Sequence, residues 1–198
     1  LWLLRQRGRL RNVPVYLDSP MATSATALLH RHADDHKLAQ HDFETAFSEV
    51  TYVRDVEESK ALSANRYPKV IISASGMATG GRVLHHIEAF GGSHQNTLLF
   101  SGFQAAGTRG RKLLEGAREV KIHGRWMPIK AEVAELAMLS AHADSDELMR
   151  WLRGFTKAPE RVFIVHGESD ASEALRERIQ RELNWHASVP MQNQEFAL

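Results

Sequence analysis

Short, strongly apolar runs alternate along this chain with small-residue or polar loops and with helix-like stretches. "LWLLRQRGRLRN" (1–12) reads as the end of a helix with Gly8 as its stop. "VPVYLDSP" (13–20) predicts a short buried strand closed by a turn at Ser19-Pro20. "MATSATALLHRHADDHKLAQHDF" (21–43) is rich in alanine and leucine and predicts one helix. Residues 44–68 are polar and irregular, with a short helix near "VEESKALSA". "PKVIISAS" predicts a second strand, running through "GMATGGR" into a helix at "VLHHIEAF". "NTLLFSGF" predicts a third strand, followed by a turn and helix in "QAAGTRGRKLLEG". Strand–loop–helix repeated in this way predicts an α/β fold with a parallel sheet.

From residue 119 the pattern changes. "REVKIHG" and "WMPIKAEVAEL" alternate around a His-Gly turn and predict a hairpin. "DSDELMRWLRGF" predicts an amphipathic helix capped by Asp144 or Ser145. "RVFIVHGES" reads as a strand, "DASEALRERIQREL" as a helix and "ASVPMQNQEFAL" as a final extended piece. A domain boundary is expected near residues 120–130. The chain starts inside a helix-like pattern without an initiator methionine, which reads as a piece of something longer.

Composition narrows the function classes. The 198 residues are 43% hydrophobic and 25% charged, ordinary for a globular protein with a real core. A formal charge of +1 gives no global attraction to nucleic acid, so any basic surface must be local. The absence of cysteine excludes disulfides, thiolate zinc sites and cysteine nucleophiles, and fits a cytoplasmic protein. No run approaches a membrane span. Eleven histidines are many for this length and direct attention to metal or acid–base chemistry.

"HRHADDH" (30–36) is one residue away from H-x-H-x-D-H, a zinc signature that works in a loop after a strand. Here His30, His32, Asp34 and His36 fall in a run of helical composition, and Asp35 breaks the spacing. On a helix, His32 and His36 share one face while His30 and Asp34 share another. The expectation is a solvated polar face. His142, in "LSAHADSDEL", precedes a helix, and His166 stands at the end of the apolar run "VFIV". Strand carboxyl ends collect ligands and catalytic groups in α/β sheets, and a polar ring after "VFIV" needs a partner such as a metal or an anion. A strand–His–helix–strand–His unit can bring both rings to one sheet edge.

"SASGMATGGR" (73–82) is a small-residue loop before a helix. Gly76, Gly80 and Gly81 permit close backbone approach to a phosphate, Ser73, Ser75 and Thr79 offer hydroxyls, and Arg82 adds charge. It matches neither the P-loop nor the dinucleotide fingerprint. A second loop, "GFQAAGTRGRK", brings Thr108, Arg109, Arg111 and Lys112. Two such loops in one sheet suggest a polyanion track. Arg5, Arg7, Arg9 and Arg11 lie close together and read as a solvated helix face or an RNA contact.

Together, "VPVYLDSPMA", "IISASGMATGGR", "FSGFQAAGTRGRKLLEG", "SAHAD" and "VFIVHGE" occur in an order that resembles the β-CASP branch of the metallo-β-lactamase fold, RNA-processing nucleases similar to the cleavage-and-polyadenylation endonuclease and its bacterial relatives. The resemblance runs over essentially the whole chain. It implies that residues 1–120 are most of a β-CASP domain and that 121–198 are the C-terminal part of a metallo-β-lactamase αββα domain. It implies two zinc ions in the intact enzyme, RNA as substrate, His142 as the group that protonates the leaving oxygen and His166 as a zinc ligand. The loop at 75–82 would face the scissile RNA backbone.

The remaining zinc ligands of that family lie upstream of the β-CASP domain and are not in this sequence. One imidazole cannot hold zinc usefully against water, so this chain alone is expected to hold no stable zinc and to be inactive. A surface within 121–198 that the missing half would cover predicts self-association as a homodimer. The alternative reading is a non-catalytic RNA- or nucleotide-binding α/β module. An α/β hydrolase is a third, with neither nucleophile elbow nor triad spacing in its favour.

Overall fold

The computed structural model describes residues 1–32, 35, 39–136 and 142–196. It divides into two units, Leu1–Leu139 and Ser140–Leu198. The first unit is organised around β1 (Val15–Asp18), whose Val15, Leu17 and Asp18 are all buried. β1 pairs in parallel with β2 (Val50–Tyr52) on one side and β3 (Val70–Ser73) on the other. β4 (Thr97–Phe100) and β7 (Glu132–Glu135) form a separate parallel pair. The chain is therefore α/β with parallel strands, in small sheets rather than one.

Several local choices explain this layout. Helix α1 is short (Trp2–Gln6) and ends just before Gly8, which adopts φ +63°. The Ser19-Pro20 step is a helix start, not a turn: the Ser19 hydroxyl accepts from the Ala22 N–H and Pro20 occupies the first helical turn of α2 (Pro20–Arg31). The single helix expected over 21–43 is two. α2 ends at Arg31, and α3 (Gln40–Ser48) begins after a break. The "irregular" stretch that follows contains β2, whose three residues are too few to show an alternation. Asp55 caps α4 (Val56–Ala64) by accepting from the Glu58 N–H.

α5 (Val83–Phe90) and α6 (Arg109–Leu114) cover a core of Ala78, Leu84, Ile87, Phe100, Leu113, Val120, Ile122 and Ile129. Three of those residues come from 119–129. β5 (Glu119–Ile122) and β6 (Arg125–Pro128) make the expected hairpin around His123-Gly124. β7 then leaves it to pair with β4 instead of extending it. That is why the first compact unit continues past the boundary expected at 120–130.

The second unit packs α7 (Ser145–Leu152) and α8 (Ser169–Leu183) with a two-residue parallel pair, β8 (Val162–Phe163) and β9 (Ala187–Ser188). Its core is Met149, Leu152, Ile179 and Ala187. Asp144 and Glu147 form a reciprocal capping box at the start of α7. Arg178 of α8 reaches Asp146 at 2.6 Å and the Ser145 hydroxyl at 2.8 Å, tying the two helices together.

Candidate functional site

The carboxyl end of β1 carries a buried charge. Asp18 is fully inaccessible, and its carboxylate accepts from the Ser59 hydroxyl (2.6 Å), Arg82 Nη1 (2.6 Å) and His86 Nε2 (2.7 Å). His86 Nδ1 lies 3.0 Å from the Ser63 hydroxyl. Burial alone would raise the Asp18 carboxyl, but the donors from Ser59, Arg82 and His86 outweigh it and hold the group below its usual 3.8. Burial pushes His86 below its usual 6.5, with Asp18 pulling the other way. A neutral ring satisfies every partner: Nε2–H donates to Asp18, and Nδ1 accepts from Ser63. Sequence reasoning passed over this network. Its signal was the one used for His166, a polar residue directly after an apolar strand, here "VYLD".

This network anchors the glycine-rich loop. Arg82, expected to face phosphate, spends its Nη1 on Asp18, and the Ser73 hydroxyl donates to the Asp18 carbonyl at 2.8 Å. Within the loop, Ser75 Oγ accepts from the N–H groups of Thr79 (3.1 Å) and Gly80 (3.4 Å) and lies 3.0 Å from the Thr79 hydroxyl. Gly81 has φ +77°, and a Cβ there would stand 2.6 Å from the Ala74 carbonyl oxygen. The loop is thus closed on itself, and the N–H groups of Ser75, Ala78, Thr79 and Gly80 are already engaged within it.

The second loop grips the first, although β3 and β4 belong to different sheets and not to the one sheet expected. Buried Gln104 donates to the carbonyls of Gly76 (3.0 Å) and Gly102 (2.9 Å). Arg109 Nη1 donates to the carbonyls of Ala78 and Thr79 at 3.2 Å each, and its Nε to the Lys121 carbonyl at 2.6 Å. Thr108 caps α6 by accepting from the Arg111 N–H at 3.2 Å. Between the loops lies a shallow cleft of about 350 Å³, lined by Ser75, Gly76, Met77, Thr79, Phe103 and Gln104, among others. Phe103 is exposed there. Ser75, Gly76 and Thr79 face this cleft; Ser73, Arg82, Thr108 and Arg109 hold its walls.

His142 is exposed two residues before the α7 cap, and His166 is exposed with φ +64° two residues before the α8 cap. The buried strand end inferred for His166 is absent: β8 stops at Phe163, and Val165 is 68% exposed. Among the described residues, β7 and β8 belong to different sheets. In "HRHADDH", His30 packs edge-on against Phe43 and Phe47, and His32 lies 3.3 Å from Asp35. Asp34 and His36 lie outside the described residues. Of the arginine group, only Arg5 is helical, and it is bound to Glu49 at 2.5 Å and to the Val13 carbonyl.

These residues do not make a two-zinc centre by themselves. Among the described residues, the one three-ligand group is His85, Glu88 and His123, which contains neither His142 nor His166. A single imidazole at His166 does not retain zinc.

Comparison with known proteins adds a family. The Beta-Casp domain matches residues 1–113, and the Zn-dependent metallo-hydrolase RNA specificity domain matches residues 126–190. The chain is 38% identical over 184 residues to Ribonuclease TTHA0252 of Thermus thermophilus, covering 88% of this chain and 41% of the relative. It is 32% identical over 190 residues to Transcription termination factor FttA of Methanosarcina mazei, covering 90% of this chain and 30% of the relative. An RNase J-like protein of Methanocaldococcus jannaschii is 30% identical over 184 residues, 93% of this chain and 42% of that one. The chain thus spans less than half the length of these relatives. With a family match over 113 of its 198 residues, the chain belongs to the β-CASP branch of the metallo-β-lactamase superfamily.

Proposed function

We propose that this chain is the RNA-handling part of a metal-dependent ribonuclease that hydrolyses phosphodiester bonds. The family match carries the reading, and two features support it. The cleft between the β3 and β4 loops has hydroxyls from Ser75 and Thr79 on one wall and the exposed Phe103 ring on the other. Hydroxyls suit a phosphate, and an exposed ring suits a base. Gly76 lines the cleft and Gly80 and Gly81 shape the turn of its loop, while Ser73, Arg82, Thr108 and Arg109 brace the two loops. In the second unit, His142 stands exposed at the start of α7, where a titratable ring can give a proton to a leaving oxygen. His166 contributes one ligand to a metal whose other ligands this chain does not supply, so the chain alone neither holds the catalytic metal nor cuts. Among the described residues no helix is long and apolar enough to cross a membrane. The RNA-processing reading itself is what favours a cytoplasmic location.

The test measures RNA cleavage and bound metal for these 198 residues and for the full open reading frame. The expected result is cleavage in the full frame and none in this chain, with about two zinc ions per chain more in the full frame than in these 198 residues. His142→Ala in the full frame should slow cleavage by roughly 10²–10⁴-fold with metal content unchanged. Cleavage by the 198 residues alone would overturn the reading. RNA binding without cleavage in both would favour a non-catalytic RNA-binding module.

A further inference from the structure

The doublet His85-His86 on α5 divides between two environments. His86 turns inward to Asp18, while His85 is exposed one position earlier. Glu88 follows at i+3 from His85 and shares its face. Across from them the β5–β6 turn places His123 at φ +46°, followed by Gly124 at φ +81°. A two-residue hairpin turn with both φ values positive favours Asn, Asp or Gly at the first position. An imidazole is tolerated there, and packing does not demand one, since the ring is half-exposed.

His123 Nδ1 lies 3.0 Å from Glu88 Oε2, and His85 Nδ1 lies 3.6 Å from the same oxygen. One ligand atom from each of the three residues falls within 4.8 Å of the others. The two imidazoles stack with centroids 4.7 Å apart. Glu88 Oε1 is buried without a hydrogen-bond partner, with Arg125 Nη2 at 3.7 Å. Arg125 is itself 78% exposed at its side chain and can move away or remain as an outer charge.

We propose that His85, Glu88 and His123 bind a divalent transition-metal ion, zinc foremost, with water completing the coordination. Two imidazole nitrogens and a carboxylate oxygen are a borderline donor set that suits zinc, cobalt or nickel better than magnesium or calcium. Bonds of about 2.0–2.2 Å in tetrahedral geometry separate donors by roughly 3.3–3.5 Å, so the observed spacings need only small adjustments. The ion would pin the middle of α5 to the hairpin turn. Because α5 starts where the glycine-rich loop ends, this ion would also stiffen the loop. None of the three residues figures in the ribonuclease reading, and the site stands whether or not that reading does.

The test titrates the 198-residue chain with zinc chloride by calorimetry and with cobalt chloride by visible absorption, after EDTA treatment. One strong site per chain is expected, with a cobalt absorption band of low coordination number. A melting temperature about 5–10 °C higher should accompany zinc at about 100-fold its dissociation constant. His123→Asn keeps a residue suited to the turn, and Glu88→Gln keeps the shape of the side chain. Each should weaken zinc at least tenfold and abolish the cobalt band while melting like the parent in EDTA. His85→Gln gives a third reading if either variant fails to fold. His32→Ala should leave binding unchanged. Absence of a zinc site, or zinc binding indifferent to all three variants, overturns the proposal.

Discussion

At Asp18, three side-chain donors converge on one buried carboxylate. Removing the carboxylate leaves the Arg82 guanidinium, only 18% exposed, without its counter-charge. Breaking a buried pair in this way typically costs about 3–5 kcal/mol. Asp18→Ala should therefore lower the urea midpoint of the first unit steeply, whereas Ser63→Ala, which removes only an acceptor's donor at His86, should cost about 1 kcal/mol. Equal midpoints for the two variants would show that the network does not hold the unit together. The pH dependence has a fixed sign. The folded pKa of His86 lies below 6.5 because of burial, so the unfolded chain binds the proton more readily. The stability it contributes is fully present above about pH 6.5 and is lost as pH falls through the folded value. Asp18, also lowered, adds a loss in the same direction below about pH 3.8. Denaturation at pH 7.5 and 5.5 should show the parent losing stability and His86→Gln losing less. A parent whose midpoint rises on acidification would contradict the neutral ring.

At the scale of elements, the glycine-rich loop owes its shape to one close approach. A side chain at Gly81 meets the Ala74 carbonyl oxygen at 2.6 Å and must also adopt φ +77°. Gly81→Ala should destabilise the first unit by about 2 kcal/mol and disorder the loop, read as faster amide exchange at residues 75–82. Gly76→Ala, where a Cβ meets nothing, should do far less. The loop's position was legible in the sequence because small residues between an apolar run and a helix have few other uses. Its wiring was not. Whether Arg82 faces phosphate or Asp18 depends on a strand 64 residues earlier, and whether Arg109 is a free cation or a clamp depends on the carbonyls of residues 78 and 79. The same limit explains the strands. β1, β3 and β4 announce themselves as apolar runs, while three-residue β2 and two-residue β8 and β9 exist only through their neighbours. "VFIV" overstates its strand for a related reason, since its last valine has no layer to pack under.

Across the whole molecule, apolar surface is left uncovered, and the second unit shows it most clearly. Trp151, Phe155, Val165 and Met191 are each exposed by 46% or more. Trp151 and Phe155 pack edge-to-face, and Phe155 does the same with Trp185, so the aromatic side chains form a continuous strip and not isolated residues. Surfaces of this kind attract partners when nothing covers them. In the ribonuclease reading, residues that precede the β-CASP domain in this family would supply that cover, and in their absence a second copy is expected to take their place. Sedimentation of the 198-residue chain should give 22.3 kDa at high dilution and about twice that mass at tens of micromolar. Trp151→Glu places a charge at the exposed end of the strip and should shift the dimer midpoint to at least tenfold higher concentration. The full open reading frame should not share this concentration dependence. Should the full frame dimerise through the same residues, with the same response to Trp151→Glu, the strip belongs to a native subunit contact and not to an intramolecular one.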